Sequence, residues 1–122
     1  MMAFAFLFAA LAGGLGAGVR YLVDIGIAKL TRTRFPWGIV IINITGSFAL
    51  GMLTAMLPEA LFVIGTGFLG GYTTFSTAML DTVALWRDGE RRAAIAHAGG
   101  MLLASVLAAV AGLALGAALS AG

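Results

Sequence analysis

Four apolar runs take up almost the whole of this 122-residue chain, and the polar connections between them are only a few residues long. A helix needs about 20 apolar residues to cross the hydrocarbon core of a bilayer. The first run extends from Met2 to Ile27, with Arg20 and Asp24 near its end, and "AKLTRTRFP" interrupts it. The second runs from Trp37 to Leu57 and stops at Pro58-Glu59. The third runs from Leu61 to Trp86, and "RDGERR" separates it from the fourth, Ala93 to Leu119. Backbone in lipid must satisfy its own hydrogen bonds, so runs of this length fold as helices. Short connections make neighbouring spans antiparallel, and an even number of spans leaves both termini on one side. The expected fold class is an all-α membrane protein with four transmembrane helices, residues 1–122 forming one four-span unit.

Composition excludes most other classes. A soluble domain carries about 25% charged residues, whereas this chain carries 10% and is 61% hydrophobic. It has no cysteine, so neither a disulfide framework nor a cysteine-ligated metal is expected. One histidine and five carboxylates leave little for catalysis, and no enzyme activity is expected. The net charge of +2 comes with no basic patch interleaved with aromatics, so nucleic acid is not an expected partner. The N-terminal run lacks a charged leader and outlasts a signal segment, and it reads as a span.

The chain has eighteen glycines, most of them within the runs. Gly14 and Gly18, Gly67 and Gly71, and Gly112 and Gly116 are each four apart, a spacing that lets helix backbones approach closely. Trp37 and Trp86 fall at span ends beside charged connections, where amphipathic rings anchor at the interface.

The stretch "GFLGGYTTFSTA", Gly67 to Ala78, stands near the middle of the third run. Glycine costs about 1 kcal/mol against alanine in a helix, and threonine adds a smaller penalty. Gly70-Gly71 followed by Thr73-Thr74 therefore predicts a helix break. Two readings of it are open. Freed carbonyls are hard oxygen ligands for a small cation in a protein-lined cavity; alternatively, threonine hydroxyls bond back to the preceding turn and heal a kink. Asn43 lies mid-run in "NITGSFALG", as interhelical glue or as a donor to a ligand. Ser105 is isolated in the fourth run and is expected to bond its own i−4 carbonyl or face a polar path. Asn43, Ser76, Thr77 and Ser105 all donate hydrogen bonds, and Phe75 adds an electropositive ring edge. This set suits an anion. No carboxylate lies near the middle of a run, which argues against a proton-coupled pump.

"GLGAGVRY" (Gly14 to Tyr21), "NITGSFALG" (Asn43 to Gly51) and "GFLGGYTTFST" (Gly67 to Thr77) resemble the Fluc, or CrcB, fluoride channels. The resemblance covers all four runs in order. It implies an antiparallel dimer of four-helix subunits with pores along the interface, passing fluoride passively out of the cytoplasm and lowering its toxicity. It implies Asn43, Phe75, Ser76, Thr77 and Ser105 as pore-lining, and Arg20 at an aqueous vestibule. For Arg20, a snorkelling helix-end arginine paired with Asp24 is the other reading. A structural, untransported sodium ion is implied on the main-chain carbonyls of Gly70 and Thr73. One position departs from the family pattern: Ala78 stands where a second phenylalanine is usual.

The connections carry a charge bias. Lys29, Arg32, Arg34, Arg87, Arg91 and Arg92 all fall on one side, and the other side has only Glu59. The positive-inside rule then predicts a multi-pass plasma-membrane protein with the first and third connections in the cytoplasm and both termini outside. A chain held in one orientation needs a homologous partner of opposite bias; if the bias is tolerated, the chain partners itself. Two other functions are open at this stage. One is a non-conducting partner subunit, a reading that Ala78 favours. The other is a small multidrug exporter, which requires a membrane-embedded glutamate that the first run lacks.

Overall fold

The computed structural model describes residues 2–121, and every regular element in them is helical. Helix α1 spans Met2–Thr31, α2 spans Trp37–Met56, α3 is the single turn Gly70–Tyr72, α4 spans Ser76–Arg87 and α5 spans Arg91–Ala121. A 3₁₀ turn, Pro58–Ala60, and a π-helical stretch, Leu61–Leu69, lead into α3. Helices α1, α2 and α5 are long and apolar enough to cross a membrane. The chain is a multi-pass membrane protein. The 20 residues of α2 rise about 30 Å, which matches the hydrocarbon core.

Helix ends follow local chemistry. After Thr31, Arg32 turns left-handed at φ 51° and returns its amide to Ala28 O at 3.0 Å, closing α1. Pro36 then forms an inverse γ-turn (φ −80°, ψ 71°), with Trp37 N bonded to Phe35 O at 2.9 Å, and α2 begins. At the end of α4, Gly89 takes φ 84°. Its amide bonds Trp86 O at 3.2 Å and the Glu90 amide bonds Leu85 O at 2.9 Å, a Schellman closure. Arg34 and Asp88 pair at 2.6 Å, so the first and third connections lie at the same end of the molecule. Both partners are exposed, and the pair stabilises by at most about 1 kcal/mol.

Two helix pairs organise the molecule. Helix α2 lies along α5, and α1 lies along Leu61–Tyr72. Glycine makes both approaches possible. A side chain on Gly51 would meet Ala109 O, and one on Gly112 would meet Phe48 O. On the α1 side, Gly71 abuts the Gly13 backbone and Gly16 abuts Phe68 O. The spacing of Gly67 with Gly71 and of Gly112 with Gly116 therefore serves packing. Gly14 and Gly18 pack against nothing within this chain, since a side chain built on either would meet nothing within 4 Å. The expected seam is displaced to Ala9, Gly13 and Gly16, because that is the face of α1 turned toward Gly67 and Gly71. The buried core is small: Ile39, Val40, Ile42, Ala78 and Met101. Most large apolar side chains instead face outward, including Phe4, Leu15, Leu102 and Leu107. Such a surface suits a membrane helix, whose outer faces need no water.

Candidate functional site

Between α3 and α4 the backbone leaves helical geometry. Thr73 is extended (φ −78°, ψ 158°), and its amide and hydroxyl both reach back to Leu69 O at 2.9 Å. Gly70 itself stays helical (φ −63°, ψ −37°). The departure therefore begins at the threonines, three residues beyond the glycine pair's start.

The amides downstream find unusual partners. In an unbroken helix, Thr74 N–H would bond Gly70 O and Thr77 N–H would bond Thr73 O. Here Thr74 N–H donates to Asn43 Oδ1 at 2.9 Å. Thr77 N–H donates to Thr74 Oγ1 at 3.2 Å. Each of the two carbonyls, Gly70 O and Thr73 O, thus loses its α-helical donor to a side chain. Gly71 O is treated differently, because Arg20 Nε donates to it at 3.2 Å. Arg20 makes that bond rather than an ion pair with Asp24; Arg34–Asp88 is the only salt bridge among the described residues. The reason is reach: Arg20 lies beside the interrupted backbone, and the Asp24 carboxylate turns to Gly38 at the start of α2.

Asn43 braces the interruption from α2. Its Oδ1 accepts from Thr74 N–H, and its Nδ2 donates to Thr74 O at 2.9 Å. The glue role and the donor role are not exclusive, because Nδ2 has a second proton, which faces Met101 Sδ at 3.2 Å. Ser105 does not make the i−4 bond that an isolated helix serine would be expected to make. Its Oγ is buried with no hydrogen-bond partner.

A cavity of about 640 Å³ gathers these groups. Asn43, Gly70, Thr73, Phe75, Met101 and Ser105 line it, and no lining side chain is charged. Phe75 is 78% exposed at its mouth. Three sequence-predicted residues stand apart from the cavity: Ser76, Thr77 and Arg20. Ser76 and Thr77 open helix α4, and the Thr77 amide is spent on capping. The groups present offer neutral N–H and O–H donors, an aromatic edge and bare carbonyls. That is chemistry for binding ions without moving protons. The two carbonyls, as hard neutral oxygens, fit a small cation such as sodium; the donors fit a small anion.

A family model described as "CrcB-like protein, Camphor Resistance (CrcB)" matches residues 7–116. The chain belongs to the CrcB family. It is 42% identical over 110 residues to a fluoride-specific ion channel FluC of Mesorhizobium japonicum, covering 85% of this chain and 86% of that protein. It is 44% identical over 113 residues to FluC 1 of Leifsonia xyli, covering 88% and 82%. To the FluC of Nitrobacter winogradskyi it is 43% identical over 121 residues, covering 92% and 95%.

In this CrcB chain, Ala78 is 1% exposed, held between the core and the cavity. Sequence reasoning missed Met101, which reads as an ordinary apolar residue. Its one signal is its position four residues before Ser105, which places both on one face of α5. His97 was also missed. It is wholly buried, with Nδ1 2.7 Å from Thr82 Oγ1 and Nε2 without a partner, and it lies outside the cavity.

Proposed function

We propose that the chain is a subunit of a fluoride-selective channel of the plasma membrane, through which cytoplasmic fluoride leaves passively and its toxicity falls. The observation that carries this reading is likeness across 92% of the chain to a protein named a fluoride-specific ion channel. The physical need is clear. Hydrogen fluoride crosses bilayers as a neutral acid and ionises inside at neutral pH, so a passive path lets the trapped anion leave.

The site chemistry supports the assignment. Fluoride is small and strongly hydrated, and a narrow path must replace its water with donors that do not hold it too tightly. The Asn43 N–H that faces only the weak Met101 thioether, the Ser105 hydroxyl and the Phe75 ring edge supply such donors. Ser76 and Thr77 complete the path in this reading. Arg20, bound to Gly71 O, sets a positive charge at the vestibule while bracing the interruption.

The proposal includes four spans. Leu61–Leu69, α3 and α4 together form the third, broken near mid-membrane at residues 73–75. The cavity is unfinished in one subunit, because Phe75 and Leu102 on its wall are exposed. A second four-helix subunit in antiparallel orientation closes it and makes the pore. A structural sodium ion sits between the subunits on Gly70 O and Thr73 O, whose helical donors are diverted. The charge bias of the connections puts the first and third in the cytoplasm and the termini outside. It favours a homologous partner of opposite bias, with self-partnering as the alternative.

The test is in cells. In a strain stripped of its own fluoride exporters, expression of the chain, alone or with a homologous partner, is expected to restore growth in fluoride at acidic external pH. Unchanged sensitivity under both conditions, with the protein present in the membrane, contradicts the proposal.

A further inference from the structure

Thr74 settles the orientation of the Asn43 amide. Oδ1 accepts the Thr74 N–H and Nδ2 donates to the Thr74 carbonyl, each at 2.9 Å. A flipped amide would set donor against donor and acceptor against acceptor, so only one assignment is consistent. One Nδ2 proton is therefore committed to Thr74 O. The other meets Met101 Sδ at 3.2 Å. A thioether is a weak acceptor. Met101 lies one helical turn before Ser105, whose Oγ is unpartnered, and both line the cavity with Phe75.

We propose that Met101 is a specificity-determining residue of this pore: its thioether accepts the second Asn43 N–H until a permeating anion replaces sulfur as the hydrogen-bond acceptor, and the side chain then swings aside. The proposal rests on the channel reading above. Three physical points support it. Methionine has three rotatable side-chain bonds, so sulfur can leave the amide without backbone movement. An ionised acceptor makes a bond about twice as strong as a neutral one, so exchange favours fluoride over sulfur. An empty site with an orphaned N–H would bind its ion too firmly, and a weak internal partner keeps the donor satisfied between ions. Anions that accept hydrogen bonds poorly gain little over the thioether, so Met101 also sharpens selectivity.

The experiment compares the wild type with Met101→Leu and Met101→Gln. Leucine removes the acceptor at nearly constant volume. Glutamine supplies a stronger, carbonyl acceptor. Two readouts are taken: fluoride efflux from proteoliposomes across a concentration series, and the Asn43 side-chain amide resonances during fluoride titration. Size-exclusion chromatography and the Asn43 proton bonded to Thr74 report whether each variant is folded. In Met101→Leu the half-saturating fluoride concentration is expected to fall about 3- to 10-fold, the value of one modest hydrogen bond. In Met101→Gln it is expected to rise by a similar factor, with slower efflux. Unchanged half-saturation and rate in both variants, with a conducting wild type, overturns the role of Met101 and leaves the channel reading standing. If the wild type passes no fluoride, the channel reading fails, and the resonance titration alone decides Met101. Tighter titration in Met101→Leu than in the wild type supports its role, and superimposable titrations overturn it.

Discussion

Replacing Asn43 by aspartate alters two interactions in the site at once. The new carboxylate keeps an oxygen to accept the Thr74 amide but lacks the donor that serves Thr74 O at 2.9 Å. A carboxylate oxygen then faces a carbonyl oxygen across that gap. Stranding a buried acceptor costs about 1–3 kcal/mol, and the half-buried setting favours the lower part of that range. The effect on transport is larger. At an effective dielectric of about 20, a unit charge about 4 Å from an anion repels it by roughly 4 kcal/mol, close to a thousandfold in occupancy. We therefore expect Asn43→Asp to fold with modestly reduced thermal stability and to lose essentially all fluoride efflux through pores that use this residue. The assay is efflux from fluoride-loaded proteoliposomes, paired with thermal unfolding in detergent. Undiminished efflux, in a dimer shown to have no other active pore, would refute the assignment of Asn43 to the path.

Three further outcomes follow from packing and charge. Gly71→Val drives a side chain into the Gly13 backbone; overpacking of this kind costs about 1–3 kcal/mol, and thermal unfolding is expected to show that loss. Gly89→Ala, at φ 84°, is expected to destabilise by about 1 kcal/mol by the same measurement, with efflux unaffected. Single cysteines at Thr33 and Ser120, labelled from outside intact cells, are expected to react at Ser120 only; comparable labelling at both positions means dual orientation and removes the argument for a homologous partner.

Much of the architecture was legible because membrane helices announce themselves by length and polarity. The run from Met2 became α1 and the run from Trp37 became α2, each within a few residues of the expected bounds. The unusual backbone of the Gly67–Ala78 stretch was legible from Gly-Gly and Thr-Thr. Its placement was less so, because Gly71 uses its missing side chain for close approach to α1 and Gly70 keeps ordinary helical dihedrals. The face of α1 that packs within the chain was not legible for a related reason. Three glycine registers share that helix, and only tertiary packing chooses Gly13 and Gly16 over Gly14 and Gly18. Pairings across the chain were beyond reach. Arg20 chose the Gly71 carbonyl over Asp24, four residues away, and Asn43 chose the backbone of Thr74. Residue type hid Met101, since a sulfur acceptor matters only when an amide proton happens to face it.

Neutral donors around Asn43, closed by a second subunit, are proposed to make a path that takes fluoride and refuses larger halides. The test is passive efflux from proteoliposomes holding the purified protein, loaded in parallel with fluoride or chloride and read with ion-selective electrodes. Rapid fluoride release, set by the membrane potential, is expected, with chloride retained at the level of protein-free vesicles. Fluoride retention in vesicles shown to contain the folded protein, or chloride release keeping pace with fluoride, would contradict such a path.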